Sequence, residues 1–167
     1  SQQLLQIHYK LGEQFALYFG VLALALGLSS FSNSKLVMRY KMVNLCLTAL
    51  LGLLISSSLF LIYCFVLQNE PTIFMLMMYL SISFFFFGLL FGNLNSLAVQ
   101  PLGHIAGVAN SVISSIQTLI SVFIGGVIGY LYNESAIPLT VGFFVCALLS
   151  IVLILRAKKK SKLVTAI

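Results

Sequence analysis

Five stretches of the chain, near 14–32, 43–67, 72–98, 104–131 and 136–155, are almost unbroken runs of apolar residues. Each is long enough to cross about 30 Å of hydrocarbon at about 1.5 Å of helical rise per residue, so the pattern predicts five transmembrane helices. The breaks between them are short and carry the charge. Lys10 and Glu13 precede the first run, and Lys35, Arg39 and Lys41 follow it. Glu70-Pro71 separates the second from the third, Pro101 and His104 mark the next turn, and Asn133-Glu134 separates the fourth from the fifth. Pro138 falls in the first turn of the fifth run, where a missing backbone N–H breaks no helical bond. A basic tail, 156–167, holds Arg156, Lys158, Lys159, Lys160 and Lys162.

Within the fourth run the residues sort by size. On a helical period Gly103, Gly107, Asn110, Ser111, Ser114, Thr118, Ser121, Gly125 and Gly129 share one side. Ile105, Val112, Ile116, Leu119, Ile120, Phe123 and Val127 take the other. A small, hydroxyl-bearing stripe has no use against lipid; it suits a closely packed helix, or water and a ligand. The first run has a weaker version in Ala16, Gly20, Ala23, Gly27 and Ser30, and the third in Ser81, Gly88, Gly92, Asn95 and Ser96. Two readings stay open for these faces. They bring helices close together, or they line a path in which Asn93, Asn95, Asn110, Ser114 and Gln117 offer hydrogen bonds to a ligand. Gly103, Gly107, Ser111, Ser121, Gly125 and Gly129 are the candidates for close helix contact. The second and fifth runs lack such stripes and read as lipid-facing supports, with Ser56, Ser57 and Ser58 bonded to their own backbone. The run Phe84-Phe85-Phe86-Phe87 covers every side of its helix, so at most one or two rings face a cavity.

Composition fixes the solvent. The 167 residues are 60% hydrophobic and 7% charged, with a mean hydropathy of +1.11. A soluble domain carries about 25% charged residues. This is an integral membrane protein. The net charge of +6 does not point to nucleic acid, because the cations sit at the ends of apolar runs. Counting sides with the tail in the cytoplasm puts eight of the nine basic residues inside and all three acids outside. The expected topology has the N-terminus periplasmic and the C-terminus cytoplasmic. No Asp, Glu, Lys or Arg lies within a span, so a proton-driven machine would need its coupling residue outside this piece. His8 and His104 fall outside or at the edge of spans, and His104 reads as a helix-start residue. Cys46, Cys64 and Cys146 are odd in number, lack ligand spacing and read as apolar filler. No phosphate loop, paired carboxylates or nucleophile–base grouping occurs, and no enzyme, metal or cofactor is expected. Ser1 is not an initiator Met and Gln2-Gln3-Leu4-Leu5-Gln6 is too short to span, so the chain reads as a piece of a longer protein.

The segments Gly92-Asn93-Leu94-Asn95-Ser96 and Pro101-Leu102-Gly103-His104-Ile105-Ala106-Gly107-Val108-Ala109-Asn110 resemble the boundary between the tenth and eleventh helices of drug:proton antiporters in the major facilitator superfamily. The nearest likeness is to the bicyclomycin- and chloramphenicol-resistance efflux family, whose pattern there is Pro-x-Gly-His-x-Ala-Gly-x-Ala-Ser. Asn110 replaces that Ser. The stretch Asn33-Ser34-Lys35-Leu36-Val37-Met38-Arg39-Tyr40-Lys41 is similar to the superfamily's cytoplasmic loop Gly-x-Leu-Ala-Asp-Arg-x-Gly at Leu36 and Arg39. Ser34, Met38 and Lys41 replace its Gly, Asp and Gly, so the loop's acid has no counterpart here. The resemblance implies helices eight to twelve of a twelve-helix bacterial inner-membrane transporter, with the end of helix seven at 1–9. That is most of a C-terminal half built on inverted repeats around a midplane site. It implies multidrug efflux of small amphipathic compounds by proton antiport and alternating access. The implied partners are the other half, the small-molecule substrate, protons and membrane lipid, with Lys35 and Arg39 as cytoplasmic gate candidates. A metabolite exporter of the same fold, or a membrane assembly protein that does not transport, would carry the same features.

Overall fold

The computed structural model describes residues 12–67, 71–131 and 135–164. His8, Lys10, Glu70, Asn133 and Glu134, and the expected end of a preceding helix at 1–9, lie outside the described residues. The described residues are helical and contain no strand. A short 3-10 turn, Gly12–Gln14, leads into α1 (Phe15–Leu36), followed by α2 (Met42–Leu67), α3 (Ile73–Val99), α4 (Ala106–Tyr130) and α5 (Ile137–Val164). Four helical stretches are long and apolar enough to cross a membrane: Phe15–Leu36, Met42–Val66, Ile73–Tyr130 and Ile137–Lys159.

The third stretch changes form in its middle. Pro101 cannot donate to an α-helical ladder, and Gln100–Ile105 tightens into a 3-10 segment with a break at Leu102 (φ −111°, ψ 28°). Ile105 leaves helical geometry again (φ −129°, ψ 31°) before α4 begins. The chain reverses here, so that Asn95 of α3 meets Asn110 of α4. Two helices run past their apolar limits. α1 extends to Leu36 with Lys35 in its last turn, where a cation meets the negative end of the helix dipole. α5 extends to Val164 through most of the basic tail.

α3 is the centre of the bundle, packed against α1 on one side and α2 on the other, while α5 packs on α2. The core has two parts. One gathers Leu22, Phe60, Cys64, Leu76, Leu80 and Ala136, with Phe15, Ile73 and Ile137 against it. The other gathers Cys46, Leu50, Leu53, Leu89, Leu90 and Ala147, with Leu36, Leu97 and Ile154 against it. The end of α1, the start of α2, the end of α3 and the end of α5 therefore share one end of the bundle. Every described basic side chain lies at that end: Lys35, Arg39, Lys41, Arg156, Lys158 and Lys159.

The expectation that α2 is a lipid-facing support holds for one face only: Leu51, Ile55, Leu59, Ile62 and Phe65 are exposed, while the other face packs within the bundle. Its residues Cys46, Ala49, Leu53, Ser57, Phe60 and Cys64 are all buried, at helical spacing, against α3 and α5. Ser57 departs from the backbone-bonded reading as well. Ser56 Oγ donates to Leu53 O and Ser58 Oγ to Leu54 O, but Ser57 Oγ lies 3.2 Å from the Tyr79 hydroxyl. The Tyr79 ring stacks on Phe60 at 4.3 Å between centroids. Gly52 admits the Phe86 ring against its backbone, and Phe87 meets Phe143 of α5 edge-on at 5.1 Å. The four-Phe run is half-buried throughout and serves mainly to join α3 to its neighbours.

Candidate functional site

α1 carries two faces about a quarter-turn apart. Leu22 and Ser29 on the first are fully buried against α3, and Asn33 continues that face. The second, Ala16, Gly20, Ala23, Gly27 and Ser30, is exposed along its whole length. α4 is more open still. Of its residues only Ala109 is buried, and Ile128 touches α5 at Gly142. Its small and polar stripe, from Gly107 and Asn110 through Ser111, Ser114, Thr118 and Ser121 to Gly125 and Gly129, is exposed. Added Cβ atoms at Gly103, Gly107, Gly125 and Gly129 would meet open space. No close helix contact is made at these positions within the described residues.

One residue of each uncovered stripe, Ser30 of α1 and Ser121 of α4, lies in the lining of one groove. Its volume is about 750 Å³, within the roughly 300–1,000 Å³ typical of small-molecule sites. Ser30 and Asn33 of α1, Gln117 and Ser121 of α4, and Cys146 and Ser150 of α5 give it polar atoms. Phe87, Phe91 and Phe143 give it aromatic walls. No lining residue is charged, so the groove offers hydrogen bonds and ring surface without a fixed ion.

The sequence-predicted path residues separate into three places. Gln117 lines the groove, and Ser114 stands exposed on the α4 stripe. Asn95 and Asn110 pair at 3.2 Å, Nδ2 of Asn95 donating to Oδ1 of Asn110. With Gly103 and Gly107 they line a second groove of about 690 Å³ at the α3–α4 bend. Asn95 Oδ1 is buried and has no hydrogen-bond partner among the described residues. Asn93 lies elsewhere, 2% exposed, in the contact between α3 and α1. Its Nδ2 donates to Asn33 Oδ1 at 2.7 Å and to Leu89 O at 2.8 Å, and Asn33 Nδ2 returns a longer bond of 3.4 Å. The pair of carboxamides clasps two helices. The small and polar positions of α3 thus divide among helix packing (Asn93), the main groove (Gly88, Gly92) and the second groove (Asn95, Ser96).

Asn33 is the residue that reading the sequence as a loop concealed. It sits in the last turns of α1, four residues after Ser29, and lines the main groove while holding Asn93. The spacing Leu22, Leu26, Ser29, Asn33 is the signal that marks this face. The pair yields a prediction. Asn33→Leu and Asn93→Leu each lower stability by about 1–2 kcal/mol, and the double variant costs less than the two together. Titration of helicity with a denaturing detergent in micelles measures the cycle; additive losses would mean that the two amides act independently.

The gate candidates lie at the basic end without sharing a site. Lys35 Nζ is 4.7 Å from the Phe31 ring centroid, a cation–π contact. Arg39 is exposed in the turn between α1 and α2, whose backbone closes through Arg39 N and Tyr40 N on Leu36 O. His104 lies in the 3-10 segment, exposed. No family model, curated protein or solved structure matches the chain.

Proposed function

We propose that the chain forms most of the C-terminal half of a membrane transporter of the major facilitator type, exporting small amphipathic compounds by alternating access. The observation that carries this reading is an uncharged groove of about 750 Å³ that α1 and α4 enter through Ser30 and Ser121, each on a small-residue stripe left exposed. Lipid tails cannot satisfy the Gln117 amide, and small residues gain nothing from them, although Ser30, Ser111 and Thr118 bond their own helices. A second set of helices laid across α1 and α4 would cover both stripes and close the groove into a central path. The likeness of the 101–110 run to the drug:proton antiporters supports the same arrangement, because that run is the bend that starts α4.

In this reading the chain crosses the membrane five times. The 58-residue stretch Ile73–Tyr130 would be about 87 Å long if straight, nearly three times the hydrocarbon thickness. Its reversal at Leu102 supports two crossings. The basic end faces the cytoplasm of a bacterial inner membrane, which puts Lys35 and Arg39 at the cytoplasmic mouth. The groove itself has no titratable carboxylate, so the proton-carrying residue belongs to the other half.

Reading the gene upstream of the codon for Ser1 tests the proposal. The expected finding is about 200 further residues with seven apolar spans and an intramembrane Asp or Glu. Deleting the complete gene should then raise dye and drug accumulation in the host. A reading frame that starts close to Ser1 would overturn the half-transporter reading and favour an assembly protein.

A further inference from the structure

We propose that the basic end of the bundle holds an anionic phospholipid, its headgroup phosphate gripped by Arg39 and Lys41 in the turn between α1 and α2. That turn and the end of α3 enclose a shallow groove of about 590 Å³. Arg39, Tyr40, Lys41 and Gln100 supply its polar lining, and Met38 and Leu97 belong to its apolar wall. Arg39, Tyr40 and Lys41 are exposed. Two cations, a phenol and a carboxamide make a donor set for a phosphate oxygen, while the apolar wall beside them suits the first carbons of an acyl chain. A free anion would use the donors and leave that wall wetted, which is why the lipid is the better occupant.

Among the described residues the charges at this end have no carboxylate partner. The sequence has no acid between 14 and 69, between 71 and 133, or after 134. Meanwhile α5 carries Arg156, Lys158 and Lys159, all exposed, to the same end as the groove. Clusters of four to eight basic residues next to a membrane span attract anionic headgroups, each cation contributing about a fivefold gain in affinity. The α5 cations raise the local concentration of anionic lipid, and the groove selects one molecule from it. The proposal rests on membrane residence alone and does not depend on transport.

The test is native mass spectrometry of the full 167-residue chain in a neutral detergent. Phosphatidylglycerol, phosphatidylcholine of matched chains, and inorganic phosphate are added in turn. Phosphatidylglycerol adducts should form at least about tenfold more readily than phosphatidylcholine adducts and should survive millimolar phosphate. Arg39→Gln and Lys41→Gln should each weaken them about fivefold, and the pair about twenty-fivefold, with helicity and elution volume unchanged. Equal retention of the two lipids would overturn the proposal. So would full displacement by inorganic phosphate, which marks a free-anion site. Loss of binding in Lys158→Gln/Lys159→Gln with Arg39→Gln/Lys41→Gln silent would place the lipid on α5 and overturn the groove assignment.

Discussion

Leucine in place of Gly88 forces α1 away from α3 and lowers the stability of the bundle by about 3 kcal/mol, the upper part of the range for overpacking a filled contact. The cause is the closeness of the two helices at this point. A Cβ built on Gly88 would overlap Ser29 Oγ, sit 2.9 Å from Ser29 Cβ and lie 3.3 Å from the backbone oxygen of Leu26. Ser29 has little room to retreat. It is fully buried, and its hydroxyl is tied to Leu26 O at 2.8 Å. The helix backbone behind it cannot yield without carrying the whole of α1. Five residues further along α3, Asn93 bonds Asn33, so a shift that accommodates the new side chain also pulls the amide clasp apart. Thermal unfolding of the detergent-solubilised chain, followed by size-exclusion fluorescence, measures the loss. Gly88→Ala should fall between the two extremes, and adding Ser29→Gly should restore much of it. An unchanged midpoint for Gly88→Leu would mean that α1 does not rest on α3 as described.

Stability and exposure divide the glycines of this chain in a way the sequence does not. Gly88 and Gly107 both belong to small-residue stripes, yet one is pressed against a serine and the other faces open space. Sequence spacing reports that a face is small; it does not report whether the partner is in the same chain. The helices themselves were legible to within about four residues at every end but the last, because a bilayer imposes a length on every apolar run. There α5 runs nine residues past the expected 155. The misplaced ends have a simple cause: backbone hydrogen bonding continues where hydrophobicity stops, so Lys35 and the α5 cations remain helical. The packed face of α2 is not legible because, in a membrane, a core face and a lipid face are both apolar. Only the recurrence of Cys46, Ala49, Ser57 and Cys64 among larger residues distinguishes its packed side. Asn33 is not legible either, because its partner is sixty residues away, beyond any local pattern. The stripe of α4 was the clearest signal, and the fold leaves it uncovered along with the weaker stripe of α1.

The uncovered stripe of α4 sets the second expected result. In the complete transporter proposed above, Gly107→Leu and Ser111→Leu should abolish most export while leaving the insertion and stability of the chain unchanged. Within the chain, a Cβ at Gly107 meets nothing, and Ser111 is exposed with its hydroxyl turned back to Gly107 O at 3.1 Å. A leucine at either place therefore has space here and costs the bundle little. Against a second half the balance reverses. Small residues allow helix backbones to approach closely, and a branched side chain between them carries an overpacking cost of about 2 kcal/mol in whichever state brings the halves together. Alternating access needs both states to be populated. A penalty of that size on one of them reduces its population about thirtyfold, and turnover falls with it. The paired measurements are membrane abundance with thermal stability on one side and dye export from cells on the other. Export at the unsubstituted rate in both variants would show that α4 does not face the other half at Gly107 and Ser111. A fall in stability to match Gly88→Leu would show that the stripe is packed within the chain. Loss of export with stability intact assigns the α4 stripe to the interface that moves.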